Sequence, residues 1–383
     1  MQLYQACIVF LVAFAVTYAM VPVSKKLANL LGAIDYPGNR RMNTEPIPRC
    51  GGIAIYLGLC AGAFTIVLGT NVFGWRLANL YVMAGVDYSL LFVGVSAMFA
   101  VGLVDDIIQL KSAPKFVGQV VAATVVAFSG VTIGSVRLLG TSNYVDFAFM
   151  DIPITVLYLV VFVNITNLVD GLDGLAAGLV AIVSASLLYM VYMRGAFTTA
   201  LLTVALMAVC LAFLRFNFFP ASIFMGDSGS HLLGLMVGII SIAGVVRAQG
   251  VTTMLVPLVL AGVPVLDTIS AIVRRTRAGV SIGKGDANHI HHKLMRAGFG
   301  QRRTVAVLWL CTAALSLVGI VIESFSGAFR YVVVAILAVI VFLVIWKFGL
   351  FSPVLKHHYD NKGASGVRAP RNTPGQNNHA GDA

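Results

Sequence analysis

The sequence predicts an all-α polytopic membrane protein of about eleven transmembrane helices, amino terminus outside and carboxyl terminus inside, with its chemistry in cytoplasmic loops. Three observations predict it. The 383 residues are 59% hydrophobic and 11% charged, with a mean hydropathy of +0.92, far outside soluble globular composition. Apolar runs able to cross a hydrocarbon core, which takes about 20 residues, recur at roughly 2–23, 51–69, 88–104, 115–134, 151–166, 175–193, 198–214, 230–246, 252–273, 304–322 and 331–349. Direction follows from the basic residues, which concentrate in short cytoplasmic loops. With the amino terminus outside, only Arg76, Arg137, Arg194, Arg247 and Arg330 of the 26 Lys and Arg fall on the outer side.

The first run has no basic segment before it, and Lys25 and Lys26 follow it, the reverse of a secretory signal, so it is expected to stay as the first span. Lys25 to Cys50 reads as a long inner loop. Its Pro37, Gly38, Pro46 and Pro48 suit an ordered irregular backbone, and Arg40, Arg41 and Arg49 suit phosphate. The third run ends in Asp105 and Asp106, and the fourth begins near Pro114 and Lys115. Turn residues among alternating apolar ones at 135–149 predict a small outer-side β-hairpin without chemistry. The ninth run carries Pro257 and Pro264, which invite a bend before Asp267.

Residues 1–350 thus form one membrane domain, and 351–383, rich in Gly, Asn, Pro and basic residues, read as a disordered cytoplasmic tail. The net charge of +11 sits in juxtamembrane loops and that tail, where it meets anionic lipid headgroups and not nucleic acid. The five cysteines, odd in number and placed in spans or at their inner ends, predict no disulfide.

The stretch that organises the chain interrupts an apolar run with Asn164, Asn167, Asp170, Gly171, Asp173 and Gly174. An Asp at the centre of a spanning helix costs about 2.5 to 3.5 kcal/mol, so this segment belongs to a polar cavity or the membrane surface. Gly102 to Asp106 and Phe224 to Ser230, which holds Asp227, repeat the pattern at two other run ends. Three such sites read as one active site. His289, His291 and His292 could suggest zinc, but the surrounding carboxylates favour a hard, oxygen-loving ion. Inner-side carboxylates with Lys, Arg and His amount to a kit for Mg2+ and phosphate, as phosphoryl transfer requires. An ion-coupled transporter is the rival, but it needs polar groups near mid-membrane and often repeats, whereas these carboxylates cluster at one face.

Asp105 and Asp106 with Lys115 and Gln119, then Asn164, Asn167, Asp170 and Asp173, then Phe224 to Ser230, then His289, His291 and His292 resemble, in this order, the polyprenyl-phosphate N-acetylhexosamine-1-phosphate transferases. The segment from His289 through Arg296 and the eleven-span plan look like the WecA/TagO branch. The MraY-type phospho-MurNAc-pentapeptide transferases, the alternative within the superfamily, have three consecutive histidines where Ile290 intervenes here. The resemblance implies transfer of GlcNAc 1-phosphate from UDP-GlcNAc to undecaprenyl phosphate or a similar polyprenyl phosphate, releasing UMP, at the cytoplasmic face of a bacterial inner membrane. It implies Mg2+, with Mn2+ as a possible substitute, held by Asp227 with Asp105 and Asp106. Asp105 would deprotonate or orient the lipid phosphate, supported by Asp106 and Lys115. Asn167, Asp170, Asp173 and Phe224 would hold the uridine end. Arg49, His289, His291 and His292 would meet diphosphate or sugar, with Asn164 and Arg296 as further substrate-binding residues. The partners are the two substrates and membrane lipid, with room for a homodimer.

Overall fold

The computed structural model describes residues 1–37, 45–75, 85–137, 144–246, 294–295 and 298–324, with isolated positions at 273, 276, 332 and 336. Nine helices and two short hairpin ladders follow one another among them. They are α1 (Leu3–Leu31), β1 (Ile34–Asp35), β2 (Ile47–Pro48), α2 (Gly52–Asn71), α3 (Tyr88–Ile108), α4 (Ser112–Phe128), β3 (Ser135–Arg137) and β4 (Tyr144–Asp146). Then come α5 (Asp151–Val169), α6 (Leu175–Met193), α7 (Phe197–Asn217), α8 (Gly226–Ser241) and α9 (Gln301–Ser324). Eight of these segments are long and apolar enough to cross a membrane, and α4 is a shorter apolar helix. The protein is a mainly helical, multi-pass membrane protein. Nine of the expected runs coincide with these helices, while 252–273 and 331–349, with Pro257, Pro264 and Asp267, lie almost wholly outside the described residues.

Helix α8 is the axis of the bundle. Every residue from Ser228 to Ser241 is buried, and α3, α5 and α2 pack around it. On the other flank α1 lies against α2 and α7, and α6 lies between α7 and α9. Large apolar side chains such as Leu11, Phe64, Phe92 and Val121 point outward, as a lipid-facing surface needs. Gly102 lets α3 approach closely: a Cβ there would stand 2.5 Å from the carbonyl oxygen of Asp227. The end of α3 and the start of α8 are thereby in backbone contact.

Three expectations need correction. Helix α1 does not stop near residue 23 but runs through Pro22 and both lysines to Leu31. Lys25 lies over the Phe216 ring, 5.6 Å from its centroid, so the ring face receives its charge while the helix continues. The inner loop is correspondingly shorter, and it is not wholly irregular, since Ile34 pairs with Pro48 and Asp35 with Ile47. Helix α8 starts at Gly226, not near 230, so Asp227 stands in its first turn. A hairpin is present where one was expected at 135–149, with Ser135 opposite Asp146 and Arg137 opposite Tyr144. The tail from 351 lies outside the described residues.

Candidate active site

Asp105 and Asp106 occupy the last turn of α3, and their carboxylates part. Asp106 turns inward, where its side chain is 0% exposed. Oδ1 accepts from the Asp227 backbone N–H at 2.8 Å and lies 3.2 Å from Arg49 Nη2. Oδ2 accepts from the Ser228 N–H at 3.1 Å and the Ser228 hydroxyl at 2.5 Å. Four donors fill the lone pairs of one carboxylate. They include the first free N–H groups of α8, whose positive end favours an anion. Gly226 makes the fit feasible: its φ is +69°, and a side chain there would collide with Asp106 and the Arg49 carbonyl.

Arg49 is positioned by the β1–β2 ladder. Its N–H donates to the Ala33 carbonyl at 3.0 Å, and Pro48, Gly51 and Gly52 then zip onto Phe224 and Met225 through backbone bonds of 2.8 to 3.0 Å. Burial would lower the Arg49 pKa, but the carboxylates of Asp106 and Asp227 outweigh it and raise it. Burial first, and the nearby Asp106 charge second, push the adjacent Cys50 thiol up to about 12, so no thiolate is on offer here.

Asp105 faces the other way. Its Oδ1 accepts from the Leu110 N–H at 2.8 Å, and its Oδ2 lies 3.5 Å from Lys115 Nζ. Lys115, from the first turn of α4, is also paired with Asp227 Oδ2. Asn167 Nδ2 donates to Asp227 Oδ1 at 3.0 Å and to the Ser230 hydroxyl at 3.0 Å. Four helices therefore deliver Asp105, Lys115, Asn167 and Asp227 to one point. Lys115 and Asp227 remain 22% and 15% exposed, open to a ligand as Asp106 is not.

Among the other expected site residues, Asn164 spends its amide on Gln119 and the Val160 carbonyl. Asp173 accepts from the Ala221 N–H at 2.9 Å. Asn217, which the sequence reading did not single out, accepts from the Gly174 N–H at 3.0 Å and donates to the Ile223 carbonyl at 2.9 Å. Asp173 and Asn217 clip the loop after α5 to the loop after α7. Asp170 caps the end of α5; burial first, then repulsion from Asp227, Asp106 and Asp173, drive its pKa well above the ordinary carboxylate value. Phe224 is half-buried on the segment leading into α8. His289, His291, His292 and Arg296 lie outside the described residues.

The carboxylate oxygens of Asp227 and Asp105 are the hard donors at this point. No group of three His, Cys, Asp or Glu converges into a preformed metal cage among the described residues. Mg2+ needs none, because it usually takes one or two carboxylates and fills its shell with water and substrate phosphate. Asp227 and Asp105, both within reach of one ammonium, fit that pattern.

A family model described as glycosyl transferase family 4 matches residues 88–245, which span α3 to α8. The "Probable undecaprenyl-phosphate N-acetylglucosaminyl 1-phosphate transferase" of Bacillus subtilis (strain 168) is 31% identical over 93% of this chain and 95% of its own length. The decaprenyl-phosphate N-acetylglucosaminephosphotransferase of Mycolicibacterium smegmatis is 35% identical over 80% of each chain. The undecaprenyl-phosphate alpha-N-acetylglucosaminyl 1-phosphate transferase of Escherichia coli (strain K12) is 26% identical over 81% of this chain and 82% of its own length.

Proposed function

Because the chain belongs to the polyprenyl-phosphate N-acetylhexosamine-1-phosphate transferases of glycosyl transferase family 4, we propose that it moves GlcNAc 1-phosphate from UDP-GlcNAc to undecaprenyl phosphate. An oxygen of the lipid phosphate attacks the phosphorus that bears the sugar. The bond from that phosphorus to the bridging oxygen breaks, and UMP departs with the electron pair. One phosphoanhydride replaces another, so the reaction should reverse readily. The observation that carries this reading is the junction of Asp105, Lys115, Asn167 and Asp227 at one end of the bundle, with Lys115 and Asp227 left partly exposed.

Bound Mg2+ would neutralise charge on the diphosphate, and Asp227 with Asp105 would hold it. Asp105 Oδ2 also faces the place where the lipid phosphate would sit and can orient it or take its proton. Lys115 balances two carboxylates and is freed to meet phosphate when a cation takes its place. Asn167 fixes the rotamer of Asp227. Asp106, saturated by backbone and hydroxyl donors, holds the start of α8. UMP release by purified protein given UDP-GlcNAc and undecaprenyl phosphate tests the reading. We expect activity with Mg2+ and its loss in EDTA; no UMP release in the presence of both substrates and Mg2+ would end it. UDP-glucose should give little turnover and UDP-MurNAc-pentapeptide none, and comparable turnover of the pentapeptide conjugate would move the chain to the MraY-type alternative.

The eleven-span map with a cytoplasmic site in a bacterial inner membrane is part of the same proposal, supported by the distribution of basic residues. A cysteine placed at Ala287 should resist impermeant thiol reagents in intact cells, while one at Ser142 should react. Labelling at Ala287 from outside would invert the map.

A further inference from the structure

Helix α8 carries a second polar residue one turn beyond Asp227. His231 is 0% exposed, and its Nε2 lies 3.0 Å from Gln119 Nε2 on α4. Gln119 Oε1 in turn accepts from Asn164 Nδ2 of α5 at 2.8 Å, and the same amide donates to the Val160 carbonyl at 2.8 Å. A backbone carbonyl can only accept, so Val160 fixes which end of Asn164 is the amide nitrogen. That choice fixes Gln119, whose oxygen meets Asn164 and whose nitrogen must then donate to His231. The polarity of the chain is thus set from one end, and His231 Nε2 is left as an acceptor without a proton. The Nδ1 atom has no hydrogen-bond partner among the described residues.

The residues fall into two tiers on the same three helices. Lys115, Asn167 and Asp227 form the tier facing the proposed substrates; Gln119, Asn164 and His231 form the tier one turn deeper, offset by four, three and four positions. One helical turn is 3.6 residues, so each pair projects from one face of its helix. Asp227 Oδ2 lies 3.6 Å from His231 Nε2, beyond hydrogen-bond range. An Nε2 without a proton offers that oxygen nothing, which leaves it to Lys115 or to a cation. A histidine with a proton on Nε2 would compete for it.

We infer that His231, as the acceptor at the end of the Val160–Asn164–Gln119–His231 chain, is a positioning residue that locks α4, α5 and α8 in register beneath Lys115, Asn167 and Asp227. The inference rests on the proposed transferase reading for its effect on catalysis, but its tautomer can be read without turnover. In purified protein labelled with ¹⁵N-histidine, the resonances that vanish in His231→Gln should show a proton on Nδ1 and a bare Nε2. A proton on Nε2, or on both nitrogens, would overturn the hydrogen-bond chain whatever the enzyme does. Absence of UMP release with the expected tautomer would instead count against the transferase reading.

For catalysis, His231→Leu should lower kcat about 10- to 100-fold with little change in KM, the usual cost of losing an outer partner of a site. Glutamine places an acceptor near the position of Nε2, so His231→Gln should keep most of kcat. The double variant Gln119→Leu/His231→Leu removes donor and acceptor together, leaves no buried orphan between them, and should cost no more than Gln119→Leu alone, which already takes the acceptor from Asn164. It also decides the matter if His231→Leu alone fails to fold. Additive losses, a glutamine variant as impaired as the leucine one, or wild-type kcat in His231→Leu would each overturn the positioning role.

Discussion

Helices α3 and α5 carry the same tripeptide, Leu-Val-Asp, in or at the end of their last turns, at Leu103 to Asp105 and at Leu168 to Asp170, and each is followed closely by a second aspartate. The two acidic ends are held in different ways. At the end of α3, Lys115 and Arg49 stand within 3.5 Å and 3.2 Å of the carboxylates of Asp105 and Asp106. At the end of α5, no Lys or Arg among the described residues comes within ion-pair distance, and the Asp173 carboxylate accepts from the Ala221 backbone N–H instead. The first set presents its carboxylates to cationic side chains, an arrangement that a metal ion or a phosphate can join. The second set either holds a loop, as Asp173 does, or is pushed towards its protonated form, as Asp170 is.

Asp227, which faces the first acidic end, should give the largest effect. Asp227→Asn keeps the side-chain volume but removes the charge that Lys115 pairs with, and a loss of about 10²- to 10⁴-fold in UMP release is expected. Its melting temperature should change little, because the partly exposed side chain contributes less to the fold than to the site. More than about a tenth of wild-type turnover would remove Asp227 from the proposed chemistry.

Asp106 should behave in the opposite way. Asp106→Asn puts an amide donor where the Ser228 N–H or the Arg49 guanidinium needs an acceptor, and leaves a largely buried arginine without its counter-ion. Breaking such a pair costs about 3 kcal/mol. A marked drop in thermal stability, with lost activity accompanying lost fold, is expected in detergent melts. If stability holds while turnover vanishes, Asp106 touches metal or substrate directly, and the contrast between neighbouring aspartates fails.

The contrast also shows what the sequence could disclose. Helix α6 spans Leu175–Met193, the same bounds as the apolar run, because Gly174 enters it with a φ of +75° and the helix is apolar throughout. The start of α8 was not legible: Gly226, Asp227, Ser228 and Gly229 read as a loop, and what makes them a helical turn is Asp106, 121 positions away, accepting from their N–H groups. That shift hid His231 too. With a run starting near 230 it is one polar residue in an apolar helix; only with Asp227 in the first turn does the four-residue spacing put both on one face. Asn164 could be found as part of a polar motif, but its use in the deeper tier depends on Gln119, which arrives from another helix.

The loop after α5 should respond more weakly. Asn217→Ala deletes the bonds to Gly174 and Ile223 together, which should cost about 2 kcal/mol. The melting temperature should fall less than in Asp106→Asn, and KM for UDP-GlcNAc should rise if the loop shapes the nucleotide end. An unchanged melting temperature would mean that the clip to the loop after α7 is not what holds this loop.

The smallest effect expected is on the pH dependence of stability, through Asp170. Its carboxyl binds a proton more tightly in the folded protein than in the unfolded chain, whose value is near 3.8. The stabilisation this gives is fully present below that value and is lost as pH rises through the higher folded-state pKa, because the ionised form is then held among Asp227, Asp106 and Asp173. Asp170→Asn has no proton to lose. In EDTA, the melting temperature of the variant relative to wild type should therefore climb as pH is raised from about 4 towards neutrality. Excess Mg2+ should shrink that difference, since a cation near Asp227 offsets the repulsion that raises the pKa of Asp170. Parallel pH profiles of the two proteins in EDTA would mean that a cation already balances Asp170, and the two acidic ends would then be built alike.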